Sequence, residues 1–199
     1  MSNGNNLELN KGDNFIFCFD VSASMQQTDT PNGASRIDYL KEKLSAFVNE
    51  AGKYDDDGID LLTFGHSVTV QPKLTPATAG TVIASLKANE GSTQTDRAIA
   101  KAYELHKAGG YEQTVCFIAT DGAPADKDAV RDVIRTIASE LKEEHEFAIS
   151  FLIVGKPDAS LEAFLTELDD NLKAKYDIVD RKSLDDVDFM SAFVGALHD

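Results

Sequence analysis

The sequence predicts an α/β fold in which a mostly parallel sheet lies between two layers of helices. Apolar runs of strand length alternate along the chain with longer segments in which apolar residues recur at helical spacing. The strand-like runs are continuously apolar rather than alternating, which is typical of strands that are covered by helices on both faces. Both observations favour a doubly wound sheet.

Six runs are candidate strands, and they cover residues 15–19, 59–64, 67–70, 114–120, 147–154 and 176–179. Gly65 and His66 join the second run to the third in a tight hairpin, so the third strand should lie antiparallel at an edge of the sheet. The other five strands should be parallel and connected by right-handed crossovers, as in a Rossmann-like fold. A ligand site is then expected at the carboxyl ends of the strands, where the winding reverses.

The helices are predicted from apolar faces. Residues 36–51 form the clearest amphipathic segment, and Ser35 can cap its first turn. Further helices are expected over residues 78–86, 96–107, 127–142, 161–173 and 187–197. No linker divides these elements, so residues 1–199 are predicted to form a single domain, with 1–13 as a flexible N-terminal segment.

Composition and charge narrow the class of partner. Hydrophobic residues make up 42% of the chain and charged residues 27%, as in an ordinary globular protein. The net charge of −15 repels phosphate backbones, so nucleic acid and anionic membranes are disfavoured. The first residues do not resemble a signal peptide, and a cytoplasmic location is expected. Cys18 and Cys116 lie within strand-like runs and should be reduced and buried.

Oxygen-bearing side chains follow two of the predicted strands. Asp20, Ser22 and Ser24 stand at every second position after the first strand, and Asp121 ends the fourth. The first loop alone is more typical of a polar turn. A glycine-opened loop that contains Thr93 should reach the same edge, however, so two carboxylates and several hydroxyls converge. Such hard ligands suit Mg²⁺, Ca²⁺ or Mn²⁺ better than zinc. We expect Asp20 at a solvent-facing rim.

The order and spacing of these segments resemble the von Willebrand factor A domains that carry a metal-ion-dependent adhesion site, in an intracellular bacterial, stand-alone form. The resemblance rests on FCFDVSASM, SRIDYLKEKLSAFV, DLLTFG, GSTQTDRAI and FIATDGAP. It implies that one divalent cation, with Mg²⁺ expected and Ca²⁺ or Mn²⁺ as alternatives, is held by Asp20, Ser22, Ser24, Thr93 and Asp121. It also implies that hydroxyls bind the ion directly, aspartates directly or through water, and that a partner's Asp or Glu completes the shell.

Three further residues near this set could also contribute to a metal site. Thr95 competes with Thr93, but the family pattern favours Thr93 as the ligand and leaves Thr95 to cap the next helix. Asp29 and Glu90 lie in loops near the same edge. We interpret them as solvated loop acids, with contact to metal-bound water as the alternative.

The resemblance implies a binding domain without enzymatic activity, whose protein partner belongs to an AAA+ ATPase assembly or a stress-response complex. It further implies that binding is coupled to movement of the last helix. One alternative is a Mg²⁺-dependent phosphatase-like hydrolase, but such enzymes need an acid where Ser22 stands. A second alternative is a structural module in which the metal only locks loops. There is no Gly-Lys-Ser/Thr phosphate loop in the sequence, which disfavours nucleotide binding.

Overall fold

A computed structural model describes residues 13–52 and 58–186. Its centre is a six-stranded sheet in the order β3-β2-β1-β4-β5-β6. Five strands are parallel, and β3 pairs with β2 in the antiparallel sense. The strands are β1 Asp13–Asp20, β2 Asp60–Phe64, β3 Val68–Val70, β4 Gln113–Thr120, β5 Phe147–Ile153 and β6 Val179–Ser183. The predicted fold class is confirmed.

Helices cover both faces of this sheet. They are α1 Arg36–Ala51, α2 Ala79–Ser85, α3 Thr95–Gly109, α4 Lys127–Glu140 and α5 Ala159–Asp170. Helices α1 and α2 pack on one face, against a cluster that includes Phe15, Phe17 and Phe19. Helices α3, α4 and α5 pack on the other face, against a cluster that includes Ile16 and Cys18. Alternate residues of β1 therefore serve two separate cores, which explains its unbroken apolar run.

Helix α1 has the bounds that its apolar face predicts. The amide of Asp38 donates to the Ser35 hydroxyl at 3.2 Å, so Ser35 caps the first turn as expected. At the centre of the buried face, the Phe47 ring lies edge-on to Phe15 at 5.6 Å and to Phe117 at 5.3 Å between centroids. These contacts fix α1 across β1 and β4.

The hairpin between β2 and β3 also forms as predicted. Phe64 pairs with Val68, and the Gly65 amide donates to the Ser67 carbonyl at 3.1 Å. A β-carbon at position 65 would lie 2.6 Å from Cβ of Glu90, so only glycine fits this close approach. The hairpin thereby brings the loop that contains Glu90 against the end of β2.

The sixth strand was predicted in the wrong place. Residues 176–179 carry the apolar run, but β6 begins only at Val179 and continues through polar residues to Ser183. Ile178 is buried just before the strand, where its carbonyl accepts from the Ile149 amide at 2.7 Å. An edge strand is covered on one side only, so it needs no continuous apolar run. Arg181 instead forms an ion pair with Glu162 at 2.6 Å.

Other boundaries differ by a few residues. Helix α5 ends at Asp170 rather than 173, and Lys173 has a left-handed backbone with a φ of 55°, which cannot continue the helix. Helix α4 ends at Glu140 rather than 142. The predicted helix over 187–197 and most of the predicted flexible segment over 1–13 lie outside the described residues.

Two further predictions concern the thiols and membrane helices. Cys18 and Cys116 are free and fully buried, with their sulfurs 3.8 Å apart across β1 and β4, as expected. Among the helices of the described residues, none combines the length and the apolar composition that crossing a bilayer requires.

Candidate metal centre

The candidate site lies where β1 and β4 end side by side. Phe19 pairs with Ala119 in the parallel register, so Asp20 and Asp121 emerge at the same edge of the sheet. The chain connects β1 to β2 on one side and pairs it with β4 on the other, so the winding reverses between these two strands. The predicted convergence of the two carboxylates at this position is therefore observed.

The loop after β1 turns its hydroxyls toward Asp121. The oxygens of Ser22 and Ser24 lie 3.0 Å apart, and the Ser24 hydroxyl donates to Oδ1 of Asp121 at 2.8 Å. Ser22 has an extended backbone with φ −64° and ψ 155°, and a single 3-10 turn over Ala23–Gln26 follows it and carries Ser24. Ser22, Ser24 and Asp121 thus form a continuous chain of oxygen atoms.

Asp20, the last residue of β1, accepts hydrogen bonds with both oxygens of its carboxylate. Its Oδ1 accepts from the Ser22 amide at 2.7 Å, and its Oδ2 accepts from the Thr120 hydroxyl at 2.6 Å. The residue has 0% exposure, so the expectation of a solvent-facing rim was wrong. Burial raises the pKa of Asp20 to about 6, since the hydrogen bonds from Thr120 and Ser22 offset only part of the lost hydration.

Asp121 is held quite differently, by a guanidinium. Nη1 of Arg36 donates to Oδ2 of Asp121 at 2.8 Å, and the side chain of Asp121 is fully buried. The same guanidinium binds both oxygens of Asp29, at 2.7 and 2.6 Å. Its hydrogen bonds lower the pKa of Asp29 to about 2. Asp29 is therefore not the free loop acid that the sequence suggested, because Arg36 binds both of its oxygens.

Arg36 was missed in the sequence. It is the first residue of α1, where an arginine is normally read as part of a solvated helix face, yet it is only 5% exposed. Its partners come from loops that are 7 and 85 residues away in sequence. No local pattern signals such a pairing, because the contact exists only once α1 packs beside the ends of β1 and β4.

The loop that carries Thr93 lies between the two aspartates. Its Glu90 bonds through the backbone to Val21 and Ala23 of the first loop, and the Thr93 carbonyl accepts from Ala125 of the loop after β4 at 2.9 Å. The Thr93 side chain is half-buried. The carboxylate of Glu90 accepts from the Ser67 amide at 2.9 Å and braces the hairpin instead.

Thr95 does not cap helix α3. Gln94 occupies the cap position without a side-chain cap, and Thr95 is the first helical residue. The Thr95 hydroxyl is buried without a hydrogen-bond partner in the described part of the chain. The cap prediction was therefore wrong. It failed because a threonine next to an apolar face fits the cap position and the first helical position equally well.

The donor set fits a hard divalent cation. Neighbouring oxygen ligands of an octahedral Mg²⁺ with bonds of about 2.1 Å lie about 3 Å apart. The hydroxyls of Ser22 and Ser24 already have this separation, at 3.0 Å. Across the described residues, no three His, Cys, Asp or Glu side chains gather in a way that could hold a metal ion. Hydroxyl oxygens would therefore have to supply much of any cation shell at this site.

Comparison with known proteins identifies the fold. A family model described as "von Willebrand factor type A domain" matches residues 15–124. A minor pilin, PilB of Streptococcus sanguinis, has a similar structure with a TM-score of 0.64 and 12% identity over 98% of this chain. The chain spans 61% of that pilin. The manganese-loaded TRAP protein of Plasmodium vivax has a TM-score of 0.58 and 10% identity, over 94% of this chain and 74% of its own.

No curated protein matches the sequence. At such low identities the two structural neighbours show the fold alone. The sequence match is independent of them, and it extends from the start of β1 to just beyond Asp121. It covers more than half of the chain and spans both loops that approach each other in the structure. This chain therefore belongs to the von Willebrand factor type A family.

Proposed function

We propose that this domain is a divalent-cation-dependent adaptor that binds a protein partner without catalysing a reaction. Asp20, Ser22, Ser24, Thr93 and Asp121 would hold one cation, Mg²⁺ in the first place, and an Asp or Glu of the partner would complete its shell. The observation that carries the proposal is the chain of oxygens from Ser22 through Ser24 to Asp121, with separations of 3.0 and 2.8 Å. A bound ion supplies an electrophilic centre for a carboxylate.

The hydroxyls and the two aspartates have different roles in this proposal. The serine and threonine hydroxyls are neutral, so they bind a cation while leaving it most of its charge. Asp20 positions Ser22 through the amide at 2.7 Å and contributes negative charge beneath the loop. Asp121 orients Ser24 by accepting a hydrogen bond from its hydroxyl. An acidic domain with a net charge of −15 thereby gains a local positive site for an acidic partner.

Several features support the non-enzymatic part of the proposal. Both oxygens of Asp20 are already hydrogen-bonded and buried, so this carboxylate is poorly placed to attack a substrate. The position two residues later, where a phosphatase of the haloacid dehalogenase type would need its acid, is Ser22. A cytoplasmic location also belongs to the proposal. It is supported by two free thiols only 3.8 Å apart, which persist most readily in a reducing compartment.

The cation-binding part is tested by calorimetric titration with Mg²⁺ and Mn²⁺. Ser22→Ala combined with Ser24→Ala removes two direct oxygens and no charge. We expect affinity to fall at least about tenfold, as when groups that support a metal site are removed. Ser139→Ala is the matched control, because its hydroxyl only bonds the Thr136 carbonyl on α4. Equal affinity in the double variant and the control would contradict the proposed ligand set.

The partner-binding part needs a separate experiment. The tagged chain is used to capture proteins from a lysate of the organism that encodes it, in parallel with Mg²⁺ and with EDTA. We expect a specific partner, from an AAA+ ATPase assembly or a stress-response complex, to be retained only with Mg²⁺ and lost with the double serine variant. A partner that binds equally in EDTA would favour a cation that merely locks the loops together.

A further inference from the structure

Arg36 is a buried cation that is shared by two carboxylates at the edge of the candidate site. Its Nε and Nη2 donate to Asp29 at 2.7 and 2.6 Å, and its Nη1 donates to Asp121 at 2.8 Å. Asp121 is fully buried, whereas 37% of the Asp29 side chain is exposed. The guanidinium thus faces the site on one side and a half-exposed counter-charge on the other.

The surrounding loops are shaped to hold this arrangement. Gly155, in the loop after β5, has a φ of +70°, and a β-carbon there would lie 2.5 Å from Nε of Arg36 and 2.8 Å from Oδ1 of Asp29. The next residue, Lys156, donates its amide to Asp29 at 3.3 Å. A side chain at position 155 would displace the ion pair. The fold therefore provides a dedicated place for a permanent positive charge beside Asp121.

This charge bears directly on any cation at the site. Both oxygens of Asp121 are occupied, Oδ1 by the Ser24 hydroxyl and Oδ2 by Arg36. A divalent ion on Ser22 and Ser24 would share this carboxylate with the guanidinium. Like charges at such short range in a buried setting repel each other appreciably, with little screening by salt. Asp29 offsets part of that repulsion from the outer side.

We propose that Arg36 is an intrinsic counter-cation that limits the affinity of the site for its divalent ion and that Asp29 sets the strength of this limit. The inference rests on the proposed function, in that it takes the cation to bind at Ser22, Ser24 and Asp121. Because Arg36 keeps Asp121 partly neutralised and in place, the bound ion retains more charge for a partner's carboxylate. Arg36 is thus a positioning residue that favours partner binding over tight metal retention.

The test is a Mn²⁺ titration of the full chain at fixed ionic strength, with free Mn²⁺ followed by electron paramagnetic resonance. Arg36→Gln removes the charge but keeps a donor amide, and we expect Mn²⁺ to bind about fivefold more tightly or better. Arg36→Lys retains the charge, and its affinity should stay within about twofold of the wild type. Asp29→Asn leaves Arg36 less neutralised and should weaken binding about threefold or more.

A second arginine supplies the control for net charge. Arg131 of α4 binds both oxygens of Glu167 of α5, at 2.7 and 2.6 Å, in the same forked geometry. Arg131→Gln and Glu167→Gln therefore make the same charge changes away from the β1 and β4 loops. We expect each to alter the Mn²⁺ affinity by less than about twofold. Shifts equal to those at Arg36 and Asp29 would overturn the proposal, since total charge would then explain them.

The direction in which Arg36→Gln changes the Mn²⁺ affinity distinguishes the proposal from a purely structural role. If Arg36 only held the loops together, Arg36→Gln would weaken Mn²⁺ binding or leave it unchanged, and either result overturns the inference. Should Arg36→Gln fail to fold, as judged by its thermal midpoint, Asp29→Asn decides, because unchanged or tighter binding there also overturns it. Absence of Mn²⁺ binding in the wild type would reject the proposed function itself, and the inference with it.

Discussion

Asp20 and Asp121 stand at the ends of two neighbouring parallel strands, yet the protein compensates their buried charges in different ways. Asp20 receives only neutral donors, the Ser22 amide and the Thr120 hydroxyl, and burial raises its pKa to about 6. Asp121 receives a full positive charge from Arg36. Hydrogen bonds from neutral groups replace hydration less completely than a guanidinium does. The charge that remains uncompensated is therefore on the β1 side of the site.

This difference indicates how the cation-free protein tolerates two carboxylates side by side. Arg36 stabilises the β4 end permanently, whereas the β1 end is left for a divalent ion to stabilise. Removal of each carboxylate should then change stability in opposite directions, with EDTA present so that no cation contributes.

The largest effect is expected at Asp121. Asp121→Ala leaves Arg36 buried with Asp29 as its single carboxylate partner, and breaking a buried ion pair on one side typically costs about 3–5 kcal/mol. We expect the free energy of unfolding, measured with urea at pH 7.5, to fall by this amount. Glu167→Ala is the control, since it breaks the more exposed pair with Arg131 at 2.6 Å and should cost about 1 kcal/mol or less. Similar losses of unfolding free energy in Asp121→Ala and Glu167→Ala would show that Asp121 is no more strongly stabilised by its arginine than a surface carboxylate is.

Asp20→Asn should have the opposite sign. With a folded pKa of about 6 against an ordinary 3.8, the folded state prefers the protonated carboxyl. The stability that this group contributes is present below about pH 4 and is lost as the pH rises through 6. The free energy of unfolding lost in this way is at most about 3 kcal/mol for a rise in the pKa of Asp20 from 3.8 to about 6. Asn cannot ionise, so the variant should be more stable than the wild type above pH 6.

Urea unfolding of Asp20→Asn and wild type at pH 5, 6, 7 and 8 measures this directly. The two curves should diverge from pH 5 to about 7 and then run parallel, and Mg²⁺ should raise the stability of the wild type alone. Asp128→Asn serves as the control, because the side chain of Asp128 is 90% exposed. A variant at position 20 that is less stable than the wild type at pH 8 would show that Asp20 is compensated after all.

The smallest effect concerns the hydroxyl that donates to Asp20. Thr120→Val removes this donor, which lies 2.6 Å from Oδ2, while conserving the shape of the side chain. We expect a loss of about 1–2 kcal/mol at pH 8, because a hydrogen bond to a buried charge is removed. The same substitution in the Asp20→Asn background should cost less. A double-mutant cycle with no coupling energy would indicate that Thr120 acts on its strand rather than on the carboxylate.

Much of the fold could be predicted because its signals are local. The runs that became β1 and β4 are continuously apolar over residues 15–19 and 115–119, since these residues pack alternately into the two cores. Helix α1 carries an apolar face and a serine cap, and both form as expected. Strand β6 could not be found in this way. It lies at the sheet edge with polar residues that are half exposed, so burial leaves no pattern in it.

The candidate site could likewise be predicted only in part. The spacing of Asp20, Ser22 and Ser24 and the position of Asp121 at a strand end were sufficient to predict that these side chains meet, because parallel strands end at a common edge. The burial of Asp20, by contrast, involves contacts such as the one with Thr120, which is 100 residues away in sequence, and no pattern within β1 indicates it. The true role of Thr95 was also hidden, since helix starts are ambiguous by a residue.

The order of strands and helices, the hairpin at Gly65 and the edge where the oxygen-bearing side chains gather could all be predicted, because each follows from periodicity and chain connectivity. The balance of charges at that edge could not be predicted, because it arises from the packing of the folded chain. Arg36 reaches Asp29 and Asp121 through the packing of α1 and the space that Gly155 leaves. Electrostatic balance depends on distance and burial among residues far apart in sequence, and these quantities exist only in the folded chain.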